Sequence, residues 1–430
     1  MRLPKLNNWL IPVYLLAFAG SAVSFLSPVF NSTSRWIVLA FVVTYFLLKG
    51  KLTRPLRTSF GLLTLIFALW AIGTGMWSEV PQLSFPKAFA FLLISFAGLA
   101  GGQVWVRQNK HQDALRYLGP LTAATLLAGL LGQATGQGND YMGNIPIYRG
   151  MTGNSNMFGA LLAMCSPFLA WQTYCIWSNR RKRNVWLLLS GMYLYFLLAT
   201  TSRSATLVVL YTLLGLFLAL GQSRKILILV STGALIVGIF IFAPAQVEEI
   251  SNRFIYKGQA NEQGITYSRD EVWRESYELA IKGGWTGGGY GVTIGESQFQ
   301  VGLSAVGYGR EKGNSQFAIA EETGLIGLTL YLISLAFLFA HLGRVIVTLP
   351  RGPHKALLGI VTGTLVGMIF QSMFEAWWVA PASPESAYFW VLAGVALALA
   401  DSARRAKTES AVDLPNRIRL SPNPFKNHPL

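Results

Sequence analysis

Charge is what this sequence has least of. Only 13% of its 430 residues are Asp, Glu, Lys or Arg, about half the share that a water-soluble globular domain carries. That shortage, beside 52% hydrophobic residues, excludes a soluble fold. Cysteine is almost missing too. Cys165 and Cys175 stand ten residues apart on one predicted helix, about 15 Å at 1.5 Å per residue, too far to pair. A disulfide framework and a cysteine metal site are therefore excluded, and cysteine usage says nothing about compartment. Histidine numbers four.

Long apolar runs are there instead. A helix needs about 20 apolar residues to cross a bilayer, and twelve such stretches are legible, near 9 to 28, 35 to 48, 58 to 77, 87 to 106, 117 to 134, 157 to 177, 185 to 201, 204 to 221, 226 to 244, 319 to 340, 356 to 374 and 386 to 402. The sequence thus predicts an all-α integral membrane protein of about 12 transmembrane helices. Its first run follows Arg2 and Lys5 and reads as an uncleaved anchor rather than a signal peptide, because eleven more spans follow.

Lys and Arg accumulate in cytoplasmic loops. With the N-terminus placed inside, alternating loops carry 24 Lys/Arg against 4 Asp/Glu inside and 11 against 15 outside. The net charge of +16 divides into +20 and −4. Its basic balance is thereby topological and faces anionic lipid, which argues against nucleic acid as a partner. Both termini are expected in the cytoplasm, along with all four histidines, His111, His341, His354 and His428. An external histidine base or histidine-ligated metal is then excluded.

This topology divides the chain into spans one to nine (1–244), one long extracytoplasmic loop (245–318), spans ten to twelve (319–402) and a cytoplasmic tail (403–430). Loops of such length are usually functional. Val272, Trp273, Tyr277, Ala280 and Ile281 recur at helical spacing in it, predicting an amphipathic helix at the membrane surface. Val247, Ile250, Phe254 and Ile255 predict a shorter one. Glycines at 283, 284, 287, 288, 289 and 291 then break the chain. The tail, with prolines at 415, 422, 424 and 429, reads as disordered.

Several polar residues stand out against this background. Arg203 lies between two apolar spans with almost no loop around it. A rim arginine either snorkels to headgroups or serves a polar partner, and a guanidinium fits the paired oxygens of a phosphate. Arg269 and Arg149 are further cations on the same side, as solvated charges or as phosphate ligands. Asn154 and Asn156 precede the sixth span, where they could hydrogen-bond a sugar or cap the helix. The glycine cluster offers backbone amides to an anion or a flexible turn. Glu321 and Glu322 are candidate general bases or acids favoured by a helix N-terminus.

Four stretches together resemble the O-antigen ligase and polymerase superfamily of bacterial lipid-linked glycan transferases. Arg203 with Leu207 looks like an Arg-x3-Leu element. Ser268-Arg269 through Trp273 to Gly287-Gly288-Gly289-Tyr290-Gly291 resembles an Arg…Trp helix with its Gly-rich turn. Asn314 through Gly324 and Gly327 matches the spacing of a His-Asn-x9-Gly-x-x-Gly element, and Thr152-Gly153-Asn154-Ser155-Asn156 is similar to a Gly-x-x-Asn-x-Asn stretch. One position departs: Gly313 stands where the family has a histidine.

The resemblance implies an inverting glycosyltransferase without metal, nucleotide or other cofactor. It would move a glycan from a polyprenyl-diphosphate donor to a glycan or lipid-glycan hydroxyl at the outer face of the bacterial plasma membrane. Arg203 and Arg269, with Arg149, would hold the diphosphate. Asn154, Asn156 and Asn314 would contact substrate; the family's base assignment does not carry over, and of the nearest acids, Glu311, Glu321 and Glu322, Glu322 is expected to take the role because it lies in the same motif and approaches the membrane. Trp273, Trp285 and Tyr290 are expected to anchor at the interface rather than stack on sugars. A polymerase of the same superfamily, a small-anion transporter and a non-catalytic assembly subunit are the rival readings. Oligomeric state is open.

Sidedness is testable directly. Single cysteines replacing Gln259 and Gln300, in a chain lacking Cys165 and Cys175, should react with a membrane-impermeant thiol reagent in intact spheroplasts, and one replacing Asn184 should not. Labelling at Asn184 alone would reverse the orientation.

Overall fold

Inside a bilayer each backbone amide must find its partner within the protein, which leaves helices as the economical solution for apolar runs. The computed structural model describes residues 7–142, 145–222, 267–294 and 312–419, and helices dominate them. They are α1 (Asn7–Gly20), α2 (Ser32–Leu48), α3 (Ser59–Gly73), α4 (Pro81–Gln108), α5 (Gly119–Thr135), α6 (Ser155–Ile176), α7 (Arg180–Ala199), α8 (Arg203–Leu220), α9 (Tyr267–Lys282), α10 (Ser315–Thr348), α11 (Pro353–Gln371) and α12 (Pro384–Arg419). Side-chain caps start several of them: Asn31 before α2, Thr58 before α3 and Asn179 before α7 each accept first-turn amides, the usual remedy for orphan N–H groups.

Among the described residues, eight helical segments are long and apolar enough to span a membrane. Those built on α3, α4, α5, α6, α8, α10, α11 and α12 meet that standard, whereas α1 and α2 are apolar but shorter. The expected seventh span coincides with α7, which opens on Arg180, Arg181, Lys182 and Arg183. The chain is therefore a multi-pass, mainly helical membrane protein. The expected ninth span and the short amphipathic helix near 247 to 255 lie outside the described residues.

Small residues set the helix packing. Along α8 and α11, a Cβ added at Gly363 would meet the Tyr211 carbonyl oxygen at 2.2 Å, and one at Gly359 the Gly215 oxygen at 2.4 Å. Where lipid gives helices no hydrophobic reason to associate, such close backbone approach supplies the van der Waals contact. Hydroxyls line the same seam: Thr212 Oγ1 lies 2.9 Å from Thr364 Oγ1 and 3.2 Å from Ser166 Oγ. Tyr211 stacks on Phe370 at 4.8 Å. Similarly, α4 packs on α12, with Gly102 against the Val391 carbonyl and Gly394 against that of Leu99.

Three features depart from the sequence reading. A small antiparallel hairpin, β1 (Asn139–Met142) with β2 (Ile145–Tyr148), pairs Asn139 with Tyr148 and precedes α6. The tail expected to be disordered beyond Arg404 continues α12 to Arg419, its first part carrying the good helix formers Arg405, Ala406, Lys407, Glu409 and Ala411. Finally, α10 is broken: Gly324 has φ 69° and ψ −174°, so two helical pieces meet at a non-helical residue.

Candidate functional site

The break in α10 sets the geometry of everything around it. A helix interrupted in the membrane leaves amides and carbonyls that need new partners, and the Gly-rich turn after α9 provides them. Leu325 and Ile326 donate their N–H groups to the carbonyls of Gly284 and Trp285 (2.9 and 3.2 Å), while the amides of Gly288 and Gly289 donate to Glu321 and Glu322 carbonyls (2.9 and 3.0 Å). The contact excludes side chains. A Cβ on Gly324 would lie 2.2 Å from the Trp285 oxygen, and one on Gly287, itself at φ 76°, 2.3 Å from the Glu322 oxygen. Indoles close the remaining carbonyls, Trp70 Nε1 donating to Thr323 (2.8 Å) and Trp77 Nε1 to Gly287 (3.0 Å).

The two acids before the break face this turn. Glu322 Oε1 sits 2.7 Å from Lys312 Nζ and its Oε2 accepts the Gly291 N–H at 2.7 Å. Glu321 lies 3.3 Å from the same ammonium and accepts the Ile294 N–H at 3.3 Å. Both carboxyl side chains are almost wholly enclosed, at 0% and 2% exposure, with Lys312 at 8%. Lys87 Nζ donates to the Gly291 carbonyl at 2.7 Å. Buried charges survive when paired and hydrogen-bonded. These two are, and Glu322 has both oxygens committed to holding the turn, a poor arrangement for the base expected of it.

A second cluster lies where the N-terminal ends of α6, α8 and α10 meet the C-terminal end of α11. Asn156 Nδ2 donates to Glu375 Oε1 at 3.3 Å. Ser315 Oγ donates to the Glu375 carbonyl at 3.1 Å, and the Ser315 amide donates to the Ser372 carbonyl at 2.8 Å. Gln316 Nε2 reaches Tyr331 Oη (3.1 Å) and Ser372 Oγ (3.0 Å). From α9, Trp273 Nε1 donates to the Gly313 carbonyl at 3.2 Å, and its ring lies 5.5 Å from that of Phe374. The position where the family has a histidine is thus tied by its backbone to Trp273 of the separate Arg…Trp element.

Arg203 opens α8 at this end. The packing of Val208 against Gly367 and Tyr211 against Gly363 runs α8 antiparallel to α11 and brings Arg203 level with the Gln371 to Glu375 segment. Three residues, Thr200 to Ser202, turn the chain from α7 into α8. Thr201 has φ 53°, the one positive φ at a residue other than glycine among the described residues, and a β-branched residue there is strained. Beside the half-buried Arg203, the hydroxyls of Thr201 and Ser202 are enclosed without a hydrogen-bond partner. A strained residue beside two unpartnered hydroxyls makes this turn a candidate part of the site.

Other expected residues take other places. Arg269 lies in the first turn of α9, whose Trp273 joins the cluster, and its side chain is outside the described residues. Arg149, beyond β2, is ion-paired with Asp140 at 3.8 Å. Asn154 caps α6 by accepting the Met157 N–H at 2.7 Å. Asn314 caps α10, accepting from Gln316 and Phe317 at 2.8 and 3.1 Å. Trp285 is 72% exposed, whereas Tyr290 is fully buried, its amide donating to Thr74 and its hydroxyl to the Trp378 carbonyl. Tyr290 is thus a core residue, not an interfacial anchor, and burial raises its pKa well above that of an ordinary tyrosine.

Sequence reading missed Glu375 and the role of Lys312. An acid in the short turn between two apolar helices was the available signal for Glu375, and the lysine beside Gly313 that for Lys312. Among the described residues, no three His, Cys, Asp or Glu side chains are grouped so as to hold a metal.

Residues 184–332, roughly a third of the chain, match the family described as O-antigen ligase. No curated protein matches the chain. The matched segment contains Arg203, Arg269, Trp273, the Gly-rich turn, Asn314 and the α10 break. It supports the O-antigen ligase and polymerase superfamily read from the sequence.

Because Lys312 is ion-paired with two enclosed carboxylates, Lys312→Met should lower the melting temperature of the purified protein markedly; removing one partner of a buried ion pair costs about 3–5 kcal/mol. Glu322→Gln, which keeps shape and leaves Glu321 to the lysine, should lower it less, with activity per folded molecule nearly unchanged. Full thermal stability together with a 10²- to 10⁴-fold loss of activity in Glu322→Gln, the size expected of a general base, would return the catalytic role to Glu322.

Proposed function

We propose that this protein transfers a glycan from a polyprenyl-diphosphate donor to a glycan or lipid-glycan hydroxyl, in the manner of an O-antigen ligase, at the outer face of the bacterial inner membrane. One observation carries the reading. Segments far apart in the sequence, the α6 start with Asn156, the α9 segment with Trp273 and the Gly313-Asn314-Ser315 stretch, gather around the Phe374-Glu375 turn, and the α8 start with Arg203 lies at the same end of the bundle, with Ser202 against Gly159 of α6 and Val208 against Gly367 of α11. The family match covers three of those four segments.

In this proposal the acceptor oxygen attacks the anomeric carbon from the face opposite the diphosphate. The new C–O bond forms as the bond to the phosphate oxygen breaks, and the electron pair leaves on the polyprenyl diphosphate. Arg203 and Arg269 neutralise the charge that develops there, the kind of electrostatic contribution that often dominates catalysis. The acceptor proton passes to a carboxylate. Glu375 is better placed for this than Glu322, being half-buried at the convergence and oriented by Asn156. Since departure of the diphosphate leads, a weak base is sufficient. Arg149 is an accessory cation, and the side-chain oxygens of Asn154 and Asn314 serve their helices.

A polymerase would use the same donor chemistry with a growing glycan as acceptor. The test is made in cells lacking the chromosomal copy. Complementation by Arg203→Ala or Arg269→Ala should leave lipid-linked glycan accumulating and transfer reduced at least 100-fold, with normal membrane abundance, and Arg→Lys should rescue incompletely because a lysine lacks the bidentate fork. Single repeat units left on the acceptor would identify a polymerase. Near-normal transfer in both alanine variants would overturn the proposed site.

A further inference from the structure

At the end of the bundle opposite Arg203, a cavity of about 530 Å³ opens between the start of α3, the last third of α10 and the part of α12 from Leu397 to Arg404. Arg57, Arg344, Arg404 and His341 line it, with Asp401 as the acid among its lining residues. That acid is shared, since Asp401 Oδ2 also lies 3.9 Å from Arg107 Nη2. Thr58 and Ser59, at the N-terminus of α3, line the same space, so the positive end of a helix dipole adds to the side-chain charge. His341 Nε2 is enclosed and has no hydrogen-bond partner. Three arginines, an unsatisfied imidazole nitrogen and a helix N-terminus around one cavity make a strong site for an anion.

The other wall of the cavity is apolar. Phe60, Ala336, Phe337, Ala340 and Leu397 form it, and Phe337 is 52% exposed on the outer surface of the bundle. Its exposed neighbours continue along α10 through Ile333 and Leu332 and along α3 through Leu62, Ile66 and Leu69. A free inorganic anion would gain nothing from that strip. An amphiphile would gain twice, with its phosphate among the arginines and its acyl chains along the apolar faces of α3 and α10. Basic pockets between helices at the cytoplasmic membrane surface suit such lipids.

We propose that this cavity is a binding site for an anionic phospholipid, whose phosphate sits between Arg57, Arg344 and Arg404 and accepts a hydrogen bond from His341, and whose chains cover α3 and α10. The site is separate from the glycan-transfer end and does not depend on that reading. Lipid bound there ties three helices together at one end. Two of them, α3 and α10, are also joined at the other end by the Trp70 hydrogen bond to Thr323.

The full-length protein, purified and delipidated in detergent, tests this by native mass spectrometry and thermal melting. Phosphatidylglycerol or cardiolipin should form retained adducts and raise the melting temperature, since a ligand that binds only the folded state stabilises it, whereas phosphatidylethanolamine and inorganic phosphate at equal concentration should do neither. In the double variant Arg57→Gln, Arg344→Gln the lipid should bind roughly 30-fold more weakly, as expected for losing two basic residues near the surface. The control double variant Arg180→Gln, Arg183→Gln, on α7, should bind normally. Equal binding of phosphatidylethanolamine, or undiminished adducts in the Arg57, Arg344 variant, would overturn the proposal, and an equal response to phosphate alone would make it a free-anion site instead. If the double variant fails to fold, a photoactivatable phosphatidylglycerol on the unaltered protein decides: crosslinks should map to 57–69 and 330–344, and crosslinks confined elsewhere would contradict the site.

Discussion

The structure turns on a broken helix whose two halves are joined by someone else's backbone. At Gly324 the chain leaves helical geometry in the buried interior of the bundle, where an unmet amide or carbonyl costs several kcal/mol. Two amides and two carbonyls of α10 exchange hydrogen bonds with the turn from Gly284 to Gly289. Neither partner tolerates a side chain at the crossing, because Gly287 and Gly324 approach backbone within distances that no Cβ could accept. The enclosed Lys312 with Glu321 and Glu322 then fixes the same turn by charge. The position of α9 follows, since α9 leads directly into that turn, and so does the level at which Gly313, Asn314 and Ser315 meet the end of α11.

This bracing explains how a polar site can exist at the rim of so apolar a protein. Charged groups in or near a bilayer are stable when paired or when they face a polar cavity. Here Glu321 and Glu322 are paired with Lys312 and committed to structure, and the shallower residues around Glu375 and Arg203 form the separate cluster to which the proposal assigns substrate. The short turn into α8, with its strained Thr201 and two enclosed hydroxyls, sits among these shallower groups. In the proposed reaction the same division places two cations against a leaving diphosphate while a separate carboxylate receives the proton.

Much of this was legible in the sequence because bilayer thickness imposes its period on the residues. Long apolar runs such as 87 to 106 and 386 to 402 became α4 and α12, and the spacing of Val272, Trp273 and Tyr277 became α9. Caps were legible as well: the bland reading of Asn154 is the one its hydrogen bond to Met157 supports. What the sequence concealed are contacts between distant segments. Glycines at 284 to 291 read as an anion cradle or a flexible turn, and nothing local reveals that their amides and carbonyls serve α10. Glu322 reads as a base by its motif position, but its value depends on Lys312 ten residues away and on Gly291 across the turn. Glu375, between Phe374 and Ala376 in the turn after α11, has no motif to announce it. Tyr290 looks interfacial by composition and is a core residue by packing.

The central claim is that this one chain performs glycan transfer by releasing a polyprenyl diphosphate. Purified protein in proteoliposomes, supplied with a polyprenyl-diphosphate-linked glycan and an acceptor bearing a free hydroxyl, measures it most directly through the ratio of polyprenyl diphosphate released to glycan joined to acceptor. The account predicts a ratio of one, dependent on acceptor. Intact donor carried across the bilayer without release, or no turnover by folded protein given both substrates, would contradict it.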